Sequence, residues 1–236
     1  MQAKYKRVLI KISGEALAAE KHTGFDFDFV SRVCEAVKAC SDAGVQVGIV
    51  IGGGNFWRGV KDGAGKVERV SADRMGMLAT AMNCLAGGDV FRQLGADARI
   101  LTAMDIQGVG ERFDARKAIE YLERGSIVLF ACGSGHPFFS TDTAAVLRAA
   151  EIHADAILLA KNIDGVYSDD PRKNPDAVKF DEISYDEVLS RHLAVMDSTA
   201  TSLALDNRIP VIVFALAQPE NIGRVLCGEK LGTLVQ

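Results

Sequence analysis

Apolar residues along the chain fall into six short runs that predict buried β-strands. The runs cover residues 8–12, 45–51, 98–103, 126–131, 156–159 and 211–214. Between most of them, apolar residues recur at three- and four-residue spacing, which predicts helices with one buried face. Strands that lack apolar–polar alternation and are separated by helices are typical of a mostly parallel sheet with both faces covered. The pattern therefore predicts an α/β protein, a three-layer sandwich in which a mostly parallel, twisted sheet lies between helices.

For three of the helices, the sequence predicts where the helix begins or ends. Apolar residues at helical spacing over 30–40 predict a helix that ends near Gly44. Ser71 is the expected cap of a long helix that reaches about Leu94. Four apolar residues of this helix are expected to share one stripe: Met75, Leu78, Met82 and Leu85. Residues 184–187, SYDE, have the spacing of a capping box that opens a short helix.

The composition narrows the class of protein. Hydrophobic residues make up 48% and charged residues 25% of the 236 residues, which is ordinary for a soluble globular protein. The formal net charge of −4 gives no broad basic surface for nucleic acid. Five cysteines without a C-x-x-C pair predict reduced thiols, and four scattered histidines argue against a zinc site. No apolar stretch has the length of a signal or membrane-spanning segment. We therefore expect one cytoplasmic domain over residues 1–236, with neither membrane nor nucleic acid as a partner.

Two of the predicted strands run into glycine loops. The run 45–51 continues into Gly52, Gly53 and Gly54, and the run 8–12, which contains Lys11, continues into Ser13 and Gly14. Glycine lets backbone N–H groups turn toward an anion, and such loops at the carboxyl edge of an α/β sheet are typical phosphate sites. One such loop would more often be a simple tight turn. Two loops, one with a lysine, favour phosphate chemistry, although neither a P-loop nor a G-x-G-x-x-G motif is present.

Other polar segments also follow predicted strands. Residues 133–142, GSGHPFFSTD, suit a bound ring and phosphate, or form a turn with two buried phenylalanines. Residues 160–171 place carboxylates beside a lysine and a tyrosine, which suits a nucleotide with its metal or an Asx-rich turn. Arg58 suits a phosphate contact or a solvated surface position. Asp73 suits a ribose contact, or it complements the dipole of the helix in whose first turn it lies.

Six segments, in order along the chain, carry a resemblance to a known family. They are KISGEAL (11–17), IGGGNFWRG (51–59), DRMGMLAT (73–80), GHPFFSTD (135–142), DGVYSDDP (164–171) and GEKLGTL (228–234). Together they cover essentially the whole chain and resemble the amino acid kinase superfamily. The glycine loops mark the superfamily. The segments 73–80 and 137–142 resemble its bacterial-type uridylate (UMP) kinase branch.

The resemblance implies an amino acid kinase-like fold and the transfer of a phosphoryl group from MgATP to UMP, in de novo pyrimidine nucleotide synthesis. Such a transfer depends on positioning and on neutralising charge. The implied catalytic residues are Lys11 and Asp142. Many members of the family have threonine where this chain has Lys161, and some have a lysine two residues earlier, where this chain has Leu159; we take Lys161 to be the second catalytic cation. The implied ATP-binding residues are Lys11, Ile12, Ser13, Gly14, Gly54, Arg58, Asn162, Tyr167 and Asp170. The implied UMP-binding residues are Gly53, Asp73, Ser134, Gly135, His136, Pro137, Phe138, Phe139, Ser140 and Thr141.

The resemblance also implies how the protein assembles and is controlled. It implies a homohexamer, activation by GTP, inhibition by UTP, and Mg²⁺ that arrives as MgATP rather than at a metal site of the protein. Residues 18–24 correspond to a segment linked to the GTP response, but their sequence diverges here. The alternatives are a superfamily kinase acting on acetylglutamate, aspartate, glutamate or carbamate, and a protein that binds nucleotide without turnover.

Overall fold

The computed structural model describes residues 3–58, 65–193 and 195–236. The segment 51–59 is therefore described up to Arg58, whereas Gly59 lies outside the described residues. The strands in these ranges are Arg7–Ile12 (β1), Gln46–Ile51 (β2), Ala98–Thr102 (β3), Glu111–Arg112 (β4), Ile127–Ala131 (β5), Ala156–Lys161 (β6), Val166–Tyr167 (β7), Lys179–Phe180 (β8), Glu182–Ile183 (β9), Val211–Ala215 (β10) and Thr233–Val235 (β11). All six predicted strands are confirmed, each within two residues of its predicted ends.

Nine of these strands form one sheet, in the order β4-β3-β5-β2-β1-β6-β10-β11-β9. Every pairing within it is parallel except that of β10 with β11. Strands β7 and β8 pair antiparallel outside this sheet. The mostly parallel sheet is confirmed. The short strands, including β11, were not predicted because two or three residues carry too little apolar pattern to be recognised.

The helices are Gly14–Ala18 (α1), Phe27–Asp42 (α2), Arg69–Gln93 (α3), Ala115–Glu123 (α4), Thr141–Glu151 (α5), Tyr185–Ser190 (α6), Ser198–Asp206 (α7) and Asn221–Leu226 (α8). Successive strand residues enter different cores, since Val8 and Ile10 pack with α2, α3 and α8, whereas Leu9 packs with α4 to α7. The sheet therefore lies between two helical layers, which confirms the three-layer sandwich. None of the described helices is long and apolar enough to cross a bilayer.

Of the two predicted helix starts, one is confirmed and the other is wrong. The hydroxyl of Ser184 accepts a hydrogen bond from Glu187 N at 3.1 Å, so the predicted cap of α6 is confirmed. The prediction that Ser71 caps the long helix is wrong, because the N-cap of α3 is Glu68, which has extended backbone and lies three residues before Ser71. Arg69 is already helical and pairs with Asp73 one turn later, which stabilises this earlier start.

The four apolar residues predicted to share a stripe on α3 do so, on the side that faces away from the sheet. Their exposed fractions are 40% for Met75, 46% for Leu78, 43% for Met82 and 38% for Leu85. We call these four residues the α3 stripe. On the opposite side of α3, small residues allow close packing against the sheet. A Cβ on Gly88 would lie only 3.2 Å from Ile100 Cδ1 of β3. Helix α3 thus packs on the sheet largely through small residues, together with the buried Met77 and Phe91, and leaves the four residues of the α3 stripe partly exposed.

Candidate active site

The carboxyl ends of the parallel strands meet at one edge of the sheet, where two cavities lie. The first has a volume of about 720 Å³ and lies among the loops that follow β1 and β6. The second, of about 190 Å³, lies between the glycine loop after β2, the first turns of α3, and the loop between β5 and α5. Ligands of open α/β sheets bind at this edge. Both cavities are therefore placed where substrates are expected.

A charged cluster contains the three predicted catalytic residues. Lys11 alternates with Ile10 and Ile12 along β1, so its side chain projects toward α5, whose first turn holds Asp142. Lys11 Nζ lies 2.6 Å from Asp142 Oδ1, and Lys161 Nζ, at the end of β6, lies 3.9 Å from Asp142 Oδ2. One carboxylate thus lies between two ammonium groups. Lys11 and Lys161 both line the first cavity, so the cations are accessible to a ligand there.

Burial and neighbouring charges act in opposite directions on Lys161. Desolvation lowers the pKa of this lysine below its usual value and is the largest effect. The nearby Lys11 lowers the pKa further, whereas Asp142 and Asp197 raise it. Lys161 also donates a hydrogen bond to the carbonyl of Val195. Lys161 is therefore held in place as a cation that gives up its proton more easily than an ordinary lysine.

Asp197 is a residue of this region that the sequence did not single out. It is the N-cap of α7, where it accepts from Ala200 N at 3.1 Å. Its carboxylate also accepts a hydrogen bond from the hydroxyl of Ser140 and another from Thr143 Oγ1, at 3.1 Å. It therefore ties the start of α5, and with it Asp142, to α7. The only sequence signal was the capping pattern of 197–200, which is common to many helices.

The two glycine loops touch each other, and glycine is required at the contact. A Cβ on Gly14 would lie 2.1 Å from Gly52 O, and one on Gly53 would lie 2.8 Å from Gly76 O. The buried side chains of Asn55 and Asn83 hydrogen-bond to each other, and Asn83 Nδ2 donates to Gly52 O at 2.7 Å. The loop after β2 is thereby fixed against both α1 and α3.

The second cavity collects most, but not all, of the residues expected to bind UMP. Those that line it are Gly53, Asp73, Ser134, Phe139, Ser140 and Thr141. Gly54, which was expected to bind ATP, also lines this second cavity. Its lining does not include Gly135, His136, Pro137 and Phe138. The cavity is also lined by residues that were not among those expected to bind UMP: Trp57, Ala72, Gly76, Met77, Thr80 and Gly133. Most of these are small or apolar, and such residues have no pattern that distinguishes a cavity wall from a core.

Asp73 already holds the loop between β5 and α5 in place. The single N–H of Arg69 Nε is shared between the two carboxylate oxygens of Asp73, at 2.9 and 2.8 Å, and Phe138 N donates to this carboxylate at 2.8 Å. The Arg69 guanidinium also lies 5.3 Å from the centre of the Phe138 ring. A ribose hydroxyl entering the second cavity would therefore meet a carboxylate whose position is set from two sides.

The first cavity contains several of the residues expected to bind ATP. Those that line it are Lys11, Ser13, Asn162, Tyr167 and Asp170, together with Lys161. Ile12 and Gly14 are buried and do not line it, and Arg58 pairs at 2.6 Å with Glu15, which does. Six further lining residues belong to the segment 160–171, which the sequence indicated only as a whole: Ile163, Gly165, Val166, Ser168, Asp169 and Pro171. Those that the sequence did not indicate as nucleotide-binding are Glu15, Arg172, Arg191, His192 and Leu193.

Comparison with known proteins identifies the family to which this chain belongs. Residues 6–215 match the amino acid kinase family, and the chain belongs to that family. A uridylate kinase from Streptococcus thermophilus is 52% identical over 235 residues, which cover 99% of this chain and 96% of that protein. The crystal structure of UMP kinase from Bacillus anthracis superposes with a TM-score of 0.94 at 37% identity, covering 98% of this chain and 96% of that one. That of UMP kinase from Ureaplasma parvum gives 0.93 at 34% identity and covers 100% of both chains.

Proposed function

We propose that this chain transfers the terminal phosphoryl group of MgATP to UMP, which gives ADP and UDP. The observation that carries the proposal is the Lys11–Asp142–Lys161 cluster at the edge of the sheet where the two cavities lie. A phosphoryl transfer needs donor and acceptor held in line and negative charge neutralised between them. The names of the relatives favour UMP as the acceptor.

In this reaction the lysines supply positive charge where negative charge develops. We assign to Lys11 the bridge between donor and acceptor phosphates, and to Lys161 a second contact with the transferring group. Asp142 keeps both ammonium groups in place and reduces their mutual repulsion before the substrates bind. An acceptor oxygen of UMP attacks the terminal phosphorus, and the bond to the bridging oxygen of ADP breaks.

Magnesium enters this scheme with the donor nucleotide. Among the described residues, no group of three or more His, Cys, Asp or Glu side chains lies close enough together to hold a metal ion. Mg²⁺ commonly keeps several waters and binds substrate phosphates with only one or two carboxylates of the protein. When bound, it neutralises charge on the donor phosphates.

The direct test measures ADP release from MgATP with UMP, CMP, dUMP, acetylglutamate, aspartate and carbamate in parallel. We expect turnover largely confined to UMP. Turnover with an acidic small molecule would keep the phosphoryl transfer but reject UMP as the acceptor. Nucleotide binding without turnover of any acceptor would reject catalysis and favour a storage or regulatory role.

The lowered pKa of Lys161 predicts how activity depends on alkaline pH. The protonated form is the one assigned to catalysis, so kcat/KM for ATP should fall as the pH rises through a pKa below the ordinary lysine value of 10.5. Stability should change in the opposite sense, because folding lowers this pKa and the folded chain therefore gains stability as the pH rises through it. Arginine keeps its charge at high pH, so the activity that remains in Lys161→Arg should not decrease over this alkaline range. The same alkaline fall in Lys161→Arg would assign it to another group.

We also propose that the chain forms a homohexamer, with the α3 stripe in one of its contacts. Apolar residues at three-, four- and three-residue spacing are typical of helix–helix seams. Leu78→Glu should convert the hexamer into smaller species in light scattering, because it would bury a carboxylate in the seam. Leu78→Met should assemble as the wild type does. An unchanged mass for Leu78→Glu would exclude the stripe, and a monomeric wild type would exclude the hexamer.

Regulation and cellular context complete the proposal. We propose that GTP activates the enzyme, that UTP inhibits it, and that it acts in the cytoplasm in de novo pyrimidine nucleotide synthesis. A reducing compartment suits its five free thiols. Burial also raises the pKa of Cys34 to about 12 and that of Cys40 to about 11, which keeps both protonated. Rates that GTP leaves unchanged at subsaturating substrate would reject the activation.

A further inference from the structure

Arg148, on α5, is a buried charge to which the proposed reaction gives no role. Among the described residues, only Lys11 and Arg148 are charged and more than nine-tenths buried, with 8% and 4% of their surface exposed. Burying a guanidinium is costly unless its N–H groups find acceptors. The partners of Arg148 therefore indicate what this charge does.

Those partners lie on three different segments. Arg148 pairs with Glu151 in the last turn of α5, and its Nη2 donates to Gly133 O at 3.3 Å. The guanidinium carbon lies 3.8 Å from the centre of the ring of Phe113, a residue that comes shortly before α4 in the chain. Phe113 is itself packed edge-on against Phe130 of β5, with ring centres 5.8 Å apart. Arg148 thus ties the loop after β5 to the body of the protein.

The loop that Arg148 contacts has an unusual backbone. Cys132 has φ 65°, Gly133 has φ 57° and Gly135 has φ 81°. A cysteine in the left-handed region is strained, and such a conformation persists only when its surroundings fix it. Two further hydrogen bonds help, from Cys132 N to Thr80 Oγ1 at 2.8 Å and from Gly135 N to Cys132 O at 3.0 Å. The contact with Arg148 is the one that orients the peptide between Gly133 and Ser134.

The orientation of that peptide decides where an N–H group points. In a trans peptide the C=O of one residue and the N–H of the next point in opposite directions. Because Gly133 O faces Arg148, Ser134 N–H points away from Arg148. Both Gly133 and Ser134 line the second cavity, and Ser134 N donates no hydrogen bond to any described residue. This N–H is therefore available to a ligand.

We propose that Arg148 is a positioning residue for the acceptor. It fixes the Gly133–Ser134 peptide so that Ser134 N–H donates to a carbonyl or phosphate oxygen of the acceptor nucleotide. The inference rests on the proposed function, since it takes the second cavity as the acceptor site. It predicts an effect on the acceptor alone, because neither Arg148 nor Gly133 nor Ser134 lines the first cavity.

The test compares Arg148→Met and Arg148→Lys with Arg7→Met. Arg148→Met should raise KM for UMP by about tenfold, as expected for one lost hydrogen bond to the acceptor, and change KM for ATP by less than about twofold. Arg148→Lys, which keeps one donor, should lie between Arg148→Met and the wild type. Arg7 is the matched control, because it donates to Ile152 O at 2.6 Å and pairs with Glu123 at the opposite edge of the sheet. Arg7→Met should lower the melting temperature and leave both KM values unchanged.

A second measurement makes the result independent of turnover. Trp57, the single tryptophan of the chain, lines the second cavity and donates to Ala72 O at 2.8 Å, so its fluorescence can report UMP binding without ATP. The Kd for UMP should rise by the same factor as KM. An equal rise in both KM values, or a lower melting temperature with an unchanged Kd, would overturn the role of Arg148. If Arg148→Met does not fold, Arg148→Lys alone decides. A wild type without UMP binding or turnover would instead reject the proposed function.

Discussion

Lys11→Met should lower kcat by about 10²- to 10³-fold, which is the usual cost of removing one preorganised group that stabilises transition-state charge. Methionine has a similar length and suits a buried position, so the fold should persist. Lys11 Nζ lies 2.6 Å from Asp142 at the wall of the first cavity, so the substitution removes one of the two cations beside that carboxylate. Steady-state kinetics with MgATP and UMP, together with a thermal unfolding curve, would measure both effects.

The control for Lys11→Met is Lys38→Met. Lys38 Nζ also lies 2.6 Å from an aspartate, Asp42, but this pair is on α2 and lines neither cavity. Breaking it should leave kcat unchanged, so a loss seen only at Lys11 belongs to the site and not to the loss of an ion pair. If Lys11→Met retained more than about a tenth of the wild-type kcat, the proposed bridge between the phosphates would be wrong.

Asp73→Asn should remove most of the discrimination between UMP and dUMP. A carboxylate that accepts a hydrogen bond from the ribose 2′-hydroxyl favours the substrate that carries this group, and losing such a contact typically costs about 10- to 100-fold in kcat/KM. The value for UMP should therefore fall by that factor, and the value for dUMP much less. Parallel measurements of kcat/KM with both nucleotides would give the ratio directly.

The ratio also separates the ribose contact from the structural contacts of Asp73. This carboxylate holds Arg69 and Phe138 N, and loosening them should weaken both nucleotides equally. Asp97→Asn is a suitable control, since Asp97 also accepts from an arginine and a hydroxyl but precedes β3, at the opposite edge of the sheet. An unchanged UMP to dUMP ratio in Asp73→Asn would exclude a contact with the 2′-hydroxyl.

The sequence was sufficient for the sheet and for much of the site because both depend on local pattern. Long apolar runs identified every central strand, and glycines or lysines at strand ends identified the edge where the cavities lie. Side chains at the ends of parallel strands lie at one edge of the sheet, so Lys11 and the segment 160–171 could be expected near each other. Their joint catalytic role came from the family resemblance and not from the local pattern.

Other features depend on neighbours that are distant in sequence and could not be predicted. The start of α3 differs from the prediction because the serine signal at Ser71 was weaker than the pairing of Arg69 with Asp73. Asp197 and Arg148 were missed because a helix cap and a buried arginine become informative only when their partners are known. The α3 stripe was found, but helical periodicity does not say which of two apolar faces meets the sheet.

Helix α3 also connects the second cavity with the outer surface of the molecule. Asp73, Gly76 and Thr80 line that cavity, whereas Met75 and Leu78, interleaved with them, belong to the exposed stripe. Any neighbour that packs on the stripe therefore acts on the wall of the cavity through the thickness of a single helix. By thermodynamic reciprocity, a ligand that shifts α3 must change the affinity of the neighbour as much as the neighbour changes that of the ligand. Helix α3 alone would therefore be sufficient to couple acceptor binding in one subunit to its neighbour.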